Sequence, residues 1–368
     1  MQEQFDIPLA SLTTMHVGGP ARRLVVAETI DEIVDAVRET DDAGEPLLVL
    51  SGGSNLLIAD EGFPGTVVKI ANQGLEIEHD SDCGGVTVRV GAGVVWDDFV
   101  REACERDWSG IEALCGIPGL VGATPVQNVG AYGQEVAQTI SSVRTYDRVT
   151  QQIKTFANAD CEFTYRHSIF KSTPYRDGDK SGRYVVLDVS FQLRKADRSQ
   201  PIAYADLAAG LGVEQGERVP LADARAGVIA QRAKRGMVLE AGDHDTWSCG
   251  SFFTNPIVTR EQMDSIVARA EERLGADGPV PPQFPAGAAH PDMLKTSAAW
   301  LIDKGGFGKG YNMPGPAALS TKHTLALTNR GTATAADVAA LARVVVDGVE
   351  EAFGVRLVPE PVWVGLTL

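Results

Sequence analysis

Ile117-Pro-Gly-Leu-Val-Gly-Ala-Thr-Pro-Val-Gln-Asn-Val-Gly-Ala-Tyr-Gly133 decides the reading of this chain. Four glycines and two prolines within 17 residues rule out a helix or strand interior. The apolar residues between them argue against a solvated linker. Such a segment suits a buried, closely wrapped loop against whose backbone a flat cofactor can lie. The structural alternative is a convoluted core loop that binds nothing.

Working outward, Pro46-Leu-Leu-Val-Leu50 reads as a buried strand running into Ser51-Gly-Gly-Ser-Asn55. Two glycines let successive N–H groups form an anion nest, and the hydroxyls of Ser51 and Ser54 add donors for a pyrophosphate. The plain alternative is a strand-to-loop turn. The pattern is neither GxGxxG nor a Walker loop. Further strands are expected at Thr66–Ile70, Val86–Val90 and Tyr184–Phe191, and a short amphipathic helix over Trp96–Arg106. Three helices carry start signals: Thr29-x-x-Glu32, Thr259-x-x-Gln262 and Thr334-x-x-Asp337, the last two ended by Gly275 and Gly354. A fourth follows Pro220 and stops at Gly236. The polar stretch 195–200 is a boundary candidate, and Val355–Leu368 reads as a terminal strand. The fold class is α+β.

Composition sets limits. At 368 residues the chain suits two or three lobes. Its net charge of −16 disfavours a nucleic-acid partner. Five scattered cysteines without CxxC suit reduced thiols. The opening Met1-Gln-Glu-Gln-Phe-Asp-Ile7 has no signal-peptide pattern, and no run reaches the ~18–20 apolar residues of a spanning helix. A soluble, cytoplasmic protein with no membrane partner is expected. Asp243-His-Asp245 has metal-ligand residue types but no partner cluster, so no metal site is assigned.

The loop 117–133 together with Ser51–Asn55 resembles the flavin-binding half of UDP-N-acetylenolpyruvoylglucosamine reductases, within the wider vanillyl-alcohol-oxidase-type (PCMH-like) flavoprotein fold. Tyr165-Arg166-His-Ser-Ile-Phe-Lys171, Gly250-Ser251-Phe-Phe-Thr-Asn255-Pro256 and Pro359-Glu360 resemble the same family in the same order. The likeness extends over nearly the whole chain, from Thr13-Thr-Met-His-Val-Gly-Gly19 to Glu360.

The resemblance implies a two-lobed FAD-binding region over 1–195, with lobes of about 1–70 and 71–195. It also implies an α+β substrate-binding domain over 205–354, and a terminal strand, 355–368, returning to the active site. It further implies FAD as cofactor, NADPH as hydride donor and a UDP-sugar substrate whose enol ether is reduced. Hydride passes through flavin N5, and Ser251 supplies the proton. Arg166 and Glu360 match the other two catalytic positions. Flavin contacts fall on Ser51, Gly52, Gly53, Ser54, Asn55, Leu56, Pro118, Gly119, Gly122, Ala123, Thr124, Gln127, Asn128, Gly130 and Ala131. Substrate contacts fall on Tyr165, Lys234, Gly250, Asn255 and Asn312. Tyr204 matches the substrate-covering tyrosine of the subgroup with an extra loop. Two positions depart from the pattern. Ala123 stands where a serine often meets flavin, and Asn312 where some relatives carry a longer amide. Arg232, Lys234 and Arg235 lie together, so the diphosphate contact could fall on any of them.

The chemistry suits these residue types. A guanidinium can clamp a carboxylate that gains enolate charge, and a carbanion-like carbon is basic enough to take a proton from serine. A protonated Glu360 could donate to the enolate oxygen. Two rival readings are another oxidoreductase of the same flavin fold and a non-catalytic nucleotide-sugar binder.

Overall fold

The computed structural model describes residues 1–287 and 289–368. The chain forms two compact units. One comprises Met1–Ile7, Pro20–Gly53 and Phe63–Val238; the other comprises Pro8–Gly19, Ser54–Gly62 and Leu239–Leu368.

Besides a two-stranded ribbon, Gly130–Ala131 with Gln134–Glu135, the first unit holds two large sheets. In one, the strands run in the order Gln2–Pro8, Pro20–Ala27, Phe63–Ile70, Leu47–Leu50. The last three are mutually parallel, as expected where the helix Ile30–Asp42 supplies the crossover. That helix starts where Thr29 accepts the Glu32 amide at 3.2 Å. The reciprocal half of the expected box is absent, because the Glu32 carboxylate accepts from the Glu28 amide instead. The second sheet is antiparallel, in the order Gln152–Ala157, Ile140–Asp147, Tyr184–Lys195, Gly85–Gly91, Leu75–Ser81. Trp96, Phe99 and Phe191 meet in the core beside it.

The polar stretch 195–200 does not end this unit. The Gln200 amide donates to Glu112 at 2.6 Å, and the helices Ala205–Leu211 and Leu221–Lys234 follow. Leu207, Ala208, Ala224 and Val228 join the same core as Phe99. Residues 205–238, expected with the substrate lobe, therefore pack in the first unit, because both helices bury their apolar faces there.

The second unit is built around two capped helices. Thr259 and Gln262 form both halves of a capping box at the start of Arg260–Leu274, and Thr334 and Asp337 do so for Ala335–Phe353. Val338, Leu341, Val345, Val349 and Phe353 recur at three- and four-residue spacing on the longer helix, and all are buried. They share a core with Phe252, Met263, Leu301 and Leu327. A short helix, Ala298–Lys304, was not foreseen; Ser297 caps it by accepting the Trp300 amide.

The terminal segment differs from expectation. Only Val362–Val364 is a strand, pairing in parallel with Leu56–Ile58. Pro359 and Pro361 lack the N–H a longer ladder needs, and Gly365 turns the chain at φ +74°. No helix among the described residues is long and apolar enough to cross a membrane.

Candidate active site

In the first unit, the strand Leu47–Leu50 delivers Ser51–Gly53 to the 117–133 loop. The two segments meet backbone to backbone, so closely that a Cβ on Gly52 would stand 2.6 Å from the Gly119 Cα. Gly53 and Gly119 adopt φ values of +61° and +125°, which L side chains rarely take. Gly122 lies against Ala92, where a Cβ would come within 2.5 Å of the alanine methyl. The result is a surface of bare backbone. Beside it the Ser51 hydroxyl is buried with no protein partner. An orphaned hydroxyl on a glycine-lined surface fits a cofactor carrying a diphosphate, which can accept from it. These residues fit FAD. Pro118, Ala123, Gln127 and Ala131 lie half-buried along the same loop.

Thr124 and Asn128, both predicted flavin residues, have side chains engaged within the protein. The Thr124 hydroxyl donates to the Val121 carbonyl at 2.8 Å. Asn128 is buried at φ +48°; its amide nitrogen donates to Glu135 at 2.8 Å and to the Thr164 carbonyl at 3.1 Å. Its amide oxygen accepts from the Ala137 N–H at 3.1 Å. The resemblance places both residues among the flavin contacts; within the protein their side chains hold the shape of the loop.

Tyr165 and Arg166 form a two-residue turn closed by paired bonds between Thr164 and His167, 3.2 Å each way. Arg166 is left-handed at φ +56°, a conformation that costs free energy outside glycine and clusters at functional sites. The turn is tied to the flavin loop at three points: Asn128 to the Thr164 carbonyl, Arg166 Nη2 to the Gly130 carbonyl at 3.2 Å, and the Ser168 hydroxyl to the Val126 carbonyl at 2.5 Å.

Tyr204 precedes the helix Ala205–Leu211, half exposed, with its ring edge-on to Tyr132 at 5.8 Å. Lys234 is the exposed last residue of its helix. Arg235 is paired with Asp206, whereas Arg232 turns inward and donates to the Met237 carbonyl at 2.8 Å. Burial holds the Arg232 guanidinium below the ordinary arginine value, against the opposing pull of Tyr132 and Cys115.

In the second unit, Gly250 at φ +71° turns the chain into Ser251, with open space where its Cβ would be. Next to Ser251, Phe252 donates its N–H to Leu325 at 2.8 Å and accepts that of Glu360 at 2.9 Å. Phe253 pairs with Pro359, and Thr254 donates to Val358 at 3.0 Å. Ser251 and Glu360 thus sit on neighbouring paired segments. Asn55 reinforces the pairing, since its side chain donates to the Glu360 carbonyl at 3.2 Å while its own carbonyl accepts from Val362 at 3.0 Å. Ser54 and Leu56 flank it, Leu56 at the start of its strand. The Asn255 side-chain oxygen caps the helix Ala298–Lys304 by accepting the Ala298 amide at 3.0 Å. Asn312 lies exposed in a tight turn, and its amide donates to the Ala317 carbonyl at 2.8 Å.

Cys249 is a packing thiol, donating to the Leu56 carbonyl, and burial pushes it up to about 12. The carboxylates of the 243–245 motif are paired: Asp243 with Lys322 and Asp245 with Arg330, and Asp245 also accepts twice from Thr321. Sequence reading missed the turn Ser320–Leu325. The Leu325 carbonyl brings it to the backbone beside Ser251, and the only hint was the polar run Ser320-Thr-Lys-His323 ahead of a strand.

Comparison with known proteins agrees with this geometry. A family profile described as FAD binding domain matches residues 21–154, and one described as UDP-N-acetylenolpyruvoylglucosamine reductase, C-terminal domain, matches 242–364. The UDP-N-acetylenolpyruvoylglucosamine reductase of Streptomyces avermitilis is 56% identical, covering 100% of this chain and 96% of its own. That of Thermobifida fusca is 51% identical, over 99% of this chain and 98% of its own. The crystal structure of the Thermus caldophilus reductase superposes with a TM-score of 0.64 at 25% identity, covering 99% of each chain. A 6-hydroxy-D-nicotine oxidase from Arthrobacter nicotinovorans shares the fold alone, with a TM-score of 0.50 at 14% identity over 96% of this chain and 86% of its own. An FAD-binding, vanillyl-alcohol-oxidase-type region followed by an α+β reductase-specific domain is the architecture of one enzyme family, and this chain belongs to the UDP-N-acetylenolpyruvoylglucosamine reductases.

Proposed function

We propose that this chain reduces UDP-N-acetylenolpyruvoylglucosamine to UDP-N-acetylmuramate, a step of peptidoglycan precursor synthesis, with Arg166, Ser251 and Glu360 as its catalytic residues. Ser51–Gly53 and the 117–133 loop would hold FAD, which would supply the hydride chemistry between NADPH and the enol ether. Negative charge then develops on the carbon beside the substrate carboxylate. Arg166, left-handed and pinned to the flavin loop, offers a fixed fork to that carboxylate, which costs little reorganisation as the charge grows. Ser251 gives its hydroxyl proton to the carbanionic carbon, and solvent later restores it. Glu360 in its acid form donates to the enolate oxygen. The observation that carries the Ser251 and Glu360 roles is the backbone pairing of their segments through Phe252.

For the rest of the substrate, Tyr165, Gly250, Asn255 and Asn312 are proposed contacts, and Tyr204 is proposed to cover the bound sugar nucleotide. Lys234, with Arg232 or Arg235, is proposed to face the diphosphate. The reaction is placed in the cytoplasm, where NADPH is supplied and five free thiols persist. Recovery of the protein from an oxidising compartment would contradict that location.

The test is anaerobic. NADPH should bleach the flavin of the purified protein, and the enolpyruvyl sugar nucleotide should restore its colour with one equivalent of UDP-N-acetylmuramate formed. A reduced flavin that this substrate leaves unchanged would overturn the assignment.

A further inference from the structure

Arg148 is the largest charged side chain in the interior of the first unit, only 2% exposed. Its guanidinium makes a two-point bond to Asp41, at 2.9 and 2.6 Å, at the end of the helix Ile30–Asp42. Its Nη1 donates to the carbonyls of Ser181 and Gly182, at 3.0 and 3.2 Å, and its Nη2 also faces the Asp179 carboxylate at 3.5 Å. The Tyr175 ring lies 3.9 Å from the guanidinium carbon. The Pro174–Gly182 bridge closes this segment into a loop wound around the charge. A buried ion pair of this kind is costly to desolvate and is weak evidence for stability alone. Its geometric consequence is more specific. The loop presents the Ser181 hydroxyl, buried, as acceptor for the Val49 N–H at 2.7 Å.

Val49 lies on the strand Leu47–Leu50, at the edge of its sheet. The strand is hydrogen-bonded to a neighbour on one side only, so the Ser181 bond holds its outer edge. Two residues later comes Ser51, with the buried hydroxyl and the glycine pair that meet Gly119. The height of Ser51–Gly53 against the 117–133 loop is therefore set from one side by the Phe63–Ile70 strand and from the other by Ser181.

We propose that Ser181, held by the Asp41–Arg148 pair, is a positioning residue for the flavin cradle, acting through Val49 on Ser51–Gly53. This rests on the reading of that cradle as the FAD site. Its test uses FAD release from the holoenzyme, followed by recovered flavin fluorescence, together with the visible circular dichroism of the bound flavin. Ser181→Ala should speed release roughly 5- to 10-fold and alter the dichroic band, in line with the loss of one buried acceptor. Ser181→Thr, which keeps the hydroxyl, should stay within about twofold of the native protein and restore the band. Native release and an unchanged band in Ser181→Ala would overturn the proposal. A native protein that binds no FAD would instead remove the flavin reading, and this proposal with it.

Discussion

The side chain of Asn128 donates to the carbonyl of Thr164 at 3.1 Å, tying the flavin loop to the turn that bears Arg166. The same amide also engages Glu135 and the Ala137 N–H, so its polar atoms all work in one joint. Position of the guanidinium and shape of the flavin loop are thus coupled through a buried residue. Asn128→Ala should cost about 2–3 kcal/mol of stability, because Thr164 and Ala137 lose buried partners. It should also lower kcat/KM at least about tenfold through misplacement of Arg166. Chemical denaturation and steady-state kinetics check both.

Gly52→Ala should yield a protein depleted of flavin. The added Cβ meets the Gly119 backbone at 2.6 Å, and no flexible side chain is there to yield. Overpacking of about 1–3 kcal/mol is expected, expressed as a reduced flavin-to-protein absorbance ratio on purification. Native flavin content would contradict the described close approach.

Thiol labelling at pH 8 should find one reactive cysteine in the folded protein. Cys83 is exposed, whereas burial raises Cys104, Cys115, Cys161 and Cys249 each to about 12. Unfolding should release all five. Rapid labelling of Cys249 without unfolding would show that the segment beside Ser251 opens freely.

Arg183 bonds both oxygens of Asp147 at 2.6 Å, and this pairing is the chief reason its carboxyl falls from 3.8 to about 2. A depressed folded value contributes stability above the unfolded pKa and loses it as pH falls through the folded one. The Arg183 share of that shift, discounted for solvent screening, contributes about 1 kcal/mol at neutral pH and is lost between about pH 4 and pH 2. Arg183→Met should remove that contribution and flatten stability against pH in this window, as denaturant titrations at several pH values would reveal.

Much of this architecture was legible because the signals were local. Thr259 with Gln262, and Thr334 with Asp337, spell out capping boxes, and the apolar stripe from Val338 to Phe353 has only one way to be buried. The glycine loop at 117–133 announced a close backbone approach, and the Gly52–Gly119 contact supplies it. Long-range pairings were not legible from the residues alone. Nothing in the spacing of Ser251 and Glu360 states that Phe252 joins them, nor that Ser320–Leu325 lies alongside; family likeness brought the first two and missed the third. Val355–Leu368 reads as a strand by its valines, yet two prolines and a left-handed glycine leave only Val362–Val364 as a strand, with an isolated bridge at Pro359. Arg148 has no sequence signature, since a basic residue after a strand is usually at the surface.

The most direct test of the central claim separates the two half-reactions in Ser251→Ala. Under anaerobic conditions, reduction of the flavin by NADPH should proceed within about threefold of the native rate. Reoxidation by the enolpyruvyl sugar nucleotide should slow about 10²- to 10⁴-fold, the usual worth of a positioned proton donor. Reoxidation at the native rate would contradict the assignment of Ser251 as that donor.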